Sequence, residues 1–267
     1  MKRIFITGAS AGIGLAMAKA LVERGHEVWG TSRSLERVPK YPRLHAVALD
    51  LTDSGSIERA FAQALSEAGQ FDVVINNAGS GHFGPAESLS PETIAQQFQV
   101  LVFGQIQLVQ LALRAMRAQE KGLIINVTSL ASRLPVPFMA AYNAAKAAMA
   151  TFIMSIQLEL PEARVRIVDL QPADISTGFN DAVIKNTADD PRYAARVGKT
   201  WRVVEKNLQA APKPELVARQ GLKLIDDMDP PPRLTVGDAF QTRIAPLINR
   251  FLPQRARLWG LKKYYGI

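Results

Sequence analysis

Short apolar runs rich in β-branched residues alternate along the chain with longer segments whose apolar positions repeat at helical spacing. Runs at residues 3–7, 27–31, 44–48, 71–76, 122–128 and 164–170 predict strands. They are nearly all apolar instead of alternating, the pattern of parallel strands with helices packed on both faces. Between them, helices are predicted over about 13–24, 54–68, 91–118 and 140–160, with Ser54 and Ser90 as N-caps and Pro91 at a first helical position. Thr235 and Val236 supply a seventh strand. This succession predicts the α/β class: one doubly wound sheet of about seven parallel strands, in a single domain spanning residues 1–267.

The alternation breaks from residue 178 to about 234, where helices are expected near 191–209 and 214–227, separated by Ala211-Pro212-Lys213-Pro214. A helical substrate-loop insertion has this form, and so has a plain surface connection.

Composition narrows the chemistry. The chain has 267 residues and 48% hydrophobic content, which suits one such domain with a sizeable core. It has no cysteine, and His26, His45 and His82 stand too far apart for a ligand spacing, so no metal is expected. The first apolar run stops at Gly8, too short for a secretory signal, and no run reaches the ~18 apolar residues of a spanning helix. A cytoplasmic protein is expected.

The net charge is +8, and the excess is uneven. Arg243, Arg250, Arg255, Arg257, Lys262 and Lys263 crowd a C-terminal segment, 238–267, that has no acid after Asp238. Beside them Ile244, Leu247, Ile248, Phe251 and Leu252 keep helical spacing. The preferred reading is a core-packing helix with solvated charges. The other is a basic amphipathic helix that rests on an anionic membrane or frames an apolar entrance. No nucleic-acid-binding motif or aromatic-basic stripe accompanies the charge, so nucleic acid is not an expected partner.

The first strand runs into Thr7-Gly8-Ala9-Ser10-Ala11-Gly12-Ile13-Gly14, which opens directly into a helix. Glycines permit a tight turn and a close approach to a pyrophosphate, and the helix N-terminus offers free N–H donors. A dinucleotide site is predicted. The spacing G-x-x-x-G-x-G resembles the short-chain dehydrogenase/reductase family, and three further segments agree with it in order. They are Asn76-Asn77-Ala78-Gly79, Ser129 thirteen residues before Tyr142, and Tyr142-Asn143-Ala144-Ala145-Lys146. The likeness covers about residues 3–180.

By this resemblance Gly8, Ser10, Gly12, Ile13 and Gly14 are assigned to a nicotinamide dinucleotide, with Asp50 and Leu51 at its adenine. Asn77, Ala78, Gly79, Pro172 and Ile175 are further cofactor contacts, and Thr177 is expected to meet the carboxamide. At the end of the second strand Ser32 stands where NAD-specific relatives carry an acid, and Arg33 follows. A guanidinium pairs with a 2′-phosphate through two charge-assisted bonds, so NADP(H) is the expected cofactor.

The catalytic set is read partly from chemistry. Hydride leaves an alcohol readily only if its proton leaves too, so a proton-transferring group is needed beside the oxygen. Tyr142 has Lys146 one helical turn away, and that positive charge favours the phenolate. The resemblance implies Tyr142 as proton donor and acceptor, Lys146 as the residue that lowers the tyrosine pKa and holds the nicotinamide ribose, and Ser129 as a hydrogen-bonding partner of the substrate oxygen, with Tyr142 and Lys146 both also contacting the cofactor. The implied activity is an NADP(H)-dependent oxidoreductase acting on a hydrophobic ketone, aldehyde or alcohol. Gly81-His82-Phe83-Gly84-Pro85 and Leu134-Pro135-Val136-Pro137-Phe138 are expected to flank its cleft.

Three positions depart from the family pattern. Ala11 stands where many NADP-preferring members carry a base, Ala173 replaces a glycine, and Leu101 replaces an asparagine that holds a water chain to the lysine. Either Gln97 or Gln105 rewires that relay, or the protein is an NADP(H)-binding regulator with weak turnover. Activity is preferred, because serine, tyrosine and lysine are all present. The resemblance also implies a homodimer or homotetramer, paired through the fourth and fifth helices.

Overall fold

The computed structural model describes residues 1–161, 165–178, 183–185 and 190–267. Its strands are β1 (Arg3–Ile6), β2 (Glu27–Ser32), β3 (Leu44–Ala48), β4 (Val73–Asn76), β5 (His82–Phe83), β6 (Gly122–Val127), β7 (Val165–Pro172), β8 (Ile184–Lys185) and β9 (Arg233–Val236). Seven of them form one parallel sheet in the order β3-β2-β1-β4-β6-β7-β9. The order reverses between β1 and β4, and the crevice outside the carboxyl ends of the strands at such a point is where ligands bind. β5 and β8 pair in parallel as a separate two-stranded sheet, which the sequence pattern did not reveal. Arg164, assigned to the sixth predicted strand, lies outside the described residues.

The helices are α1 (Gly12–Glu23), α2 (Ser54–Ala68), α3 (Pro91–Phe98), α4 (Gly104–Ala118), α5 (Ala140–Glu159), α6 (Pro191–Ala210), α7 (Glu215–Asp226), α8 (Ala245–Phe251) and α9 (Gln254–Tyr265). Strand pleating sends alternate side chains of β1 to opposite faces. Ile4 and Ile6 enter a core with Met17, Leu21, Val217 and Leu224 of α1 and α7. Phe5 enters the other, with Phe61, Phe71, Leu108 and Met149 against α2, α4 and α5. Both faces of the sheet are thereby covered, as the apolar strands required.

α3 and α4 form the single helix expected over 91–118, interrupted by a π-helical turn at Gln99–Phe103. By length and composition alone this helix suffices to cross a membrane. It instead buries Leu101, Leu108, Val109 and Met116 completely. Ser90 caps α3 as predicted, accepting from the Thr93 N–H at 3.2 Å. At α2 the cap is Asp53, not Ser54: its carboxylate accepts from the Gly55 N–H at 2.8 Å. An ionised carboxylate accepts more strongly than a hydroxyl at the positive end of a helix.

The region from 178 to 234 divides between two jobs. α7 is an ordinary layer helix on α1, so close that a Cβ on Gly221 would lie 2.4 Å from Met17 Cε. α6 covers the cleft, and residues 179–182 and 186–189 are outside the described residues. The C-terminal stripe corrects the core-packing expectation: Ile244, Leu247, Ile248 and Phe251 are all exposed. Helical spacing in sequence identifies an apolar face but does not tell whether anything covers it.

Candidate active site

A cleft of about 770 Å3 runs along the carboxyl edge of the sheet. Its floor is the turn after β1. The Thr7 hydroxyl accepts from the main-chain N–H groups of Asn77 (2.9 Å) and Ala78 (3.0 Å), and Asn77 Nδ2 donates back to the Thr7 carbonyl at 2.9 Å. These bonds fasten the glycine turn to the end of β4. Gly8 and Gly12 take φ of +74° and +55°, conformations that side chains disfavour. A Cβ on Gly14 would lie 2.1 Å from the Gly8 carbonyl oxygen. Of the loop residues assigned to the cofactor, Gly8, Ser10, Gly12 and Ile13 line the cleft, while Gly14 lies beneath it and permits the close packing of α1.

At one end of the cleft stand Ser32, Arg33, Asp50 and Leu51. Asp50 Oδ1 accepts from the Thr52 N–H and hydroxyl at 2.9 and 2.8 Å, which fixes the carboxylate at the rim. Arg33 is exposed and has no acidic partner among the described residues. Arg37 lines the same end, a residue that the sequence reading did not single out; its signal is a second cation four residues after Arg33.

The other end is built by β6, α5 and β7. Tyr142 and Lys146 project from one face of α5. Ser129, just past β6, is hydrogen-bonded to Tyr142 and also accepts from the Ala131 N–H at 3.1 Å. Thr128, the neighbour of Ser129, gives its hydroxyl to the buried Asp169 carboxylate. Lys146 Nζ donates to the Val127 carbonyl at 2.9 Å and lies 5.9 Å from the Tyr142 ring centroid.

Burial governs the electrostatics. It pushes the Tyr142 phenol up to about 12, with the Ser129 hydrogen bond pulling the other way. It also pushes Lys146 down to about 8, against the attraction of Asp169. The phenolate-favouring effect expected of Lys146 is not among the influences on the phenol, which is governed by desolvation and Ser129. The phenol is therefore a proton holder at neutral pH.

Leu101 is fully buried in a cluster with Val102, Ala145 and Tyr142. A Cβ on Gly79 would come within 3.2 Å of its Cδ2. The two glutamines proposed to compensate are placed differently. Gln105 donates to the Ala78 carbonyl at 2.8 Å and stays outside the cleft lining. Gln97 lines the cleft, and its buried Oε1 has no partner among the described residues.

Asn77, Ala78, Gly79, Pro172, Ile175 and Thr177 all line the cleft as expected. Ala173 does not need positive φ, and its methyl occupies the place opposite Gly237, where an added Cβ would sit 2.6 Å away. Next to it, the Gln241 side chain grips residue 174 twice, accepting from its N–H at 3.2 Å and donating to its carboxylate at 2.5 Å.

An aromatic cluster from distant parts of the chain packs behind the cleft residues Val136, Met139 and Tyr142. Phe83 lies 4.7 Å from Trp201 of α6 and 6.0 Å from Phe138, ring centre to ring centre. Val136, Met139 and Val183 complete this apolar cluster beside Tyr142. His82 is buried at the cleft. Among the described residues no group of acids and histidines is arranged to hold a metal.

A glycine turn lining the cleft, with a cation at one end and a phenol–lysine pair at the other, suits a nicotinamide dinucleotide. Comparison with known proteins agrees. The family model described as short chain dehydrogenase matches residues 2–188. A 3-ketodihydrosphingosine reductase of Bacteroides thetaiotaomicron is 32% identical over 99% of this chain and 98% of its own. Among solved structures, a short-chain dehydrogenase from Streptomyces avermitilis is 29% identical, with a TM-score of 0.84 over 98% of this chain and 96% of its own. An alcohol dehydrogenase from Thermococcus sibiricus, complexed with 5-hydroxy-NADP, is 25% identical with a TM-score of 0.72, covering 90% and 97%. On the shared fold, the ordered motifs and the relatives together, the chain belongs to the short-chain dehydrogenase family of oxidoreductases.

Proposed function

We propose that the protein reduces a hydrophobic ketone or aldehyde, or oxidises the matching alcohol, with NADP(H). The observation that carries the reading is the meeting of Ser129, Tyr142 and Lys146 at the apolar end of the cleft whose floor is the glycine turn. One relative that matches over nearly the full chain is by name a 3-ketodihydrosphingosine reductase, and the apolar cleft residues Leu134, Val136 and Met139 beside Tyr142 suit an apolar ketone.

The cofactor, when bound, supplies or accepts hydride. The chain's own residues manage the oxygen. Tyr142, protonated at neutral pH, gives its proton to the carbonyl oxygen as charge develops there, and Ser129 hydrogen-bonds the same atom. Lys146, anchored by the Val127 carbonyl, offers positive charge to the phenol and donors to a ribose. Gln97, polar and cleft-facing on the turn before Leu101, is the group we assign to the proton path in place of the asparagine. Arg33, with Arg37 beside it, is assigned to the 2′-phosphate. Phe103, Met154 and Leu158, exposed on the central helices, support pairing of two copies there.

The test follows absorbance of NADPH with a panel of long-chain and cyclic ketones. Turnover is expected with apolar substrates and should fall at least about a hundredfold in Tyr142→Phe, the range of a lost general acid. No turnover with any ketone or alcohol, in the presence of measured NADPH binding, would return the protein to the regulatory reading.

A further inference from the structure

The C-terminal helices present a surface that the reaction does not require. Ile244, Leu247, Ile248 and Phe251 recur at the i, i+3, i+4, i+7 spacing of one helical face. In a soluble fold such a face normally packs inward, yet Leu247 is 60% and Phe251 75% exposed. Trp259 of α9 adds an indole that is 65% exposed. Single exposed apolar residues are ordinary, but a run of this kind on one segment marks an interaction surface.

Charge selects the partner. Arg243 and Arg250 flank the stripe at helical spacing, and Arg255, Lys262 and Lys263 follow on α9. From residue 239 to 267 there is no aspartate or glutamate side chain. A second copy of this chain docking here about a two-fold axis would bring these cations against their own images. A flat, polyanionic surface with an apolar interior satisfies both features at once: the aliphatic and aromatic groups enter the acyl boundary while the guanidinium and ammonium groups meet headgroup phosphates.

We propose that α8 and α9 dock the protein on an anionic lipid bilayer. Ile248 and Leu252 belong to the same segment and line the cleft, so its mouth opens beside the docked face. A lipid-borne ketone then enters from the bilayer without crossing water; this last clause rests on the proposed carbonyl chemistry, whereas docking itself does not.

The experiment is co-sedimentation of the full chain with vesicles of pure phosphatidylcholine and of phosphatidylcholine mixed with phosphatidylglycerol, at low and high salt. Binding is expected only to the anionic vesicles, weakening steeply with salt. Leu247→Asp combined with Phe251→Asp, at two positions outside the cleft lining, should lower the partition coefficient at least about tenfold while circular dichroism and NADPH affinity stay unchanged. Absence of binding to anionic vesicles overturns the proposal. So does binding that the double variant leaves intact, or a halving of the solution mass by the double variant, which would show the stripe to be buried between copies. Since vesicle binding is read without turnover, its failure and a failure of the reductase assignment are separate results.

Discussion

Lys146 Nζ lies 2.9 Å from the carbonyl oxygen of Val127, the last residue of β6. The ammonium is thus tied to the strand end that also delivers Ser129, one residue beyond Thr128. Helix α5 and the sheet edge are joined at the point where proton transfer is assigned.

That placement has a pH signature. Lys146 is held at about 8 in the fold against 10.5 when free, so between these values the unfolded chain binds more protons. Stability from this group therefore rises with pH across that window, and below it the fold bears the full penalty of the buried charge. Lys146→Met removes the penalty. Denaturant unfolding should show the variant gaining stability relative to wild type at pH 7, by up to about 3 kcal/mol. The difference should shrink as the pH approaches 10. A gap that is flat with pH would contradict the assigned shift.

Arg33 makes the cofactor prediction. Arg33→Ala should raise the NADPH dissociation constant about tenfold or more, the worth of a charge-assisted pair, and change that for NADH little. Arg37→Ala should show the same sign with a smaller effect. Titration by cofactor fluorescence reads both, and equal losses for the two dinucleotides would remove the phosphate assignment.

Gly14→Ala tests the turn through packing. The added methyl would meet the Gly8 carbonyl oxygen, a backbone atom, at 2.1 Å and Asn77 Nδ2, which is held by its bond to the Thr7 carbonyl, at 2.4 Å. Overpacking of this kind costs about 1–3 kcal/mol. The melting temperature should fall and dinucleotide affinity with it, although residue 14 itself does not face the cleft.

Gln97→Met separates proton relay from structure. The variant keeps the volume and loses the free Oε1. If Gln97 carries protons, kcat drops and its pH profile shifts, while KM and NADPH affinity hold. Equal loss in all four would make Gln97 a packing residue.

Much of the site was legible because its chemistry is local. Gly8 and Gly12 need their φ values within one turn, and Tyr142 and Lys146 share a face by helical period alone. The sheet was legible for the same reason, since strands buried on both faces show as apolar runs. What escaped depends on contacts distant in sequence. Nothing in the surroundings of Trp201 announces that it closes on Phe83, more than a hundred residues earlier. Leu247 and Phe251 have the spacing of a core face, and only the assembled chain shows that both stay largely exposed. Whether α7 belongs to an insertion or to the helical layer is decided by the contact of Gly221 with Met17, two residues far apart in sequence. At Asp53 and Ser54 the two capping residues are adjacent, and the choice between them turns on one residue of register.

The double grip of Gln241 on residue 174 has a mechanical corollary. The roof of the cleft, carried by the C-terminal segment, is clamped to the loop that leads to Thr177. Lifting that roof must either rupture both bonds or drag the loop along. The C-terminal segment and the loop that leads to Thr177 are consequently coupled, so that a displacement of either is felt by the other through one glutamine side chain.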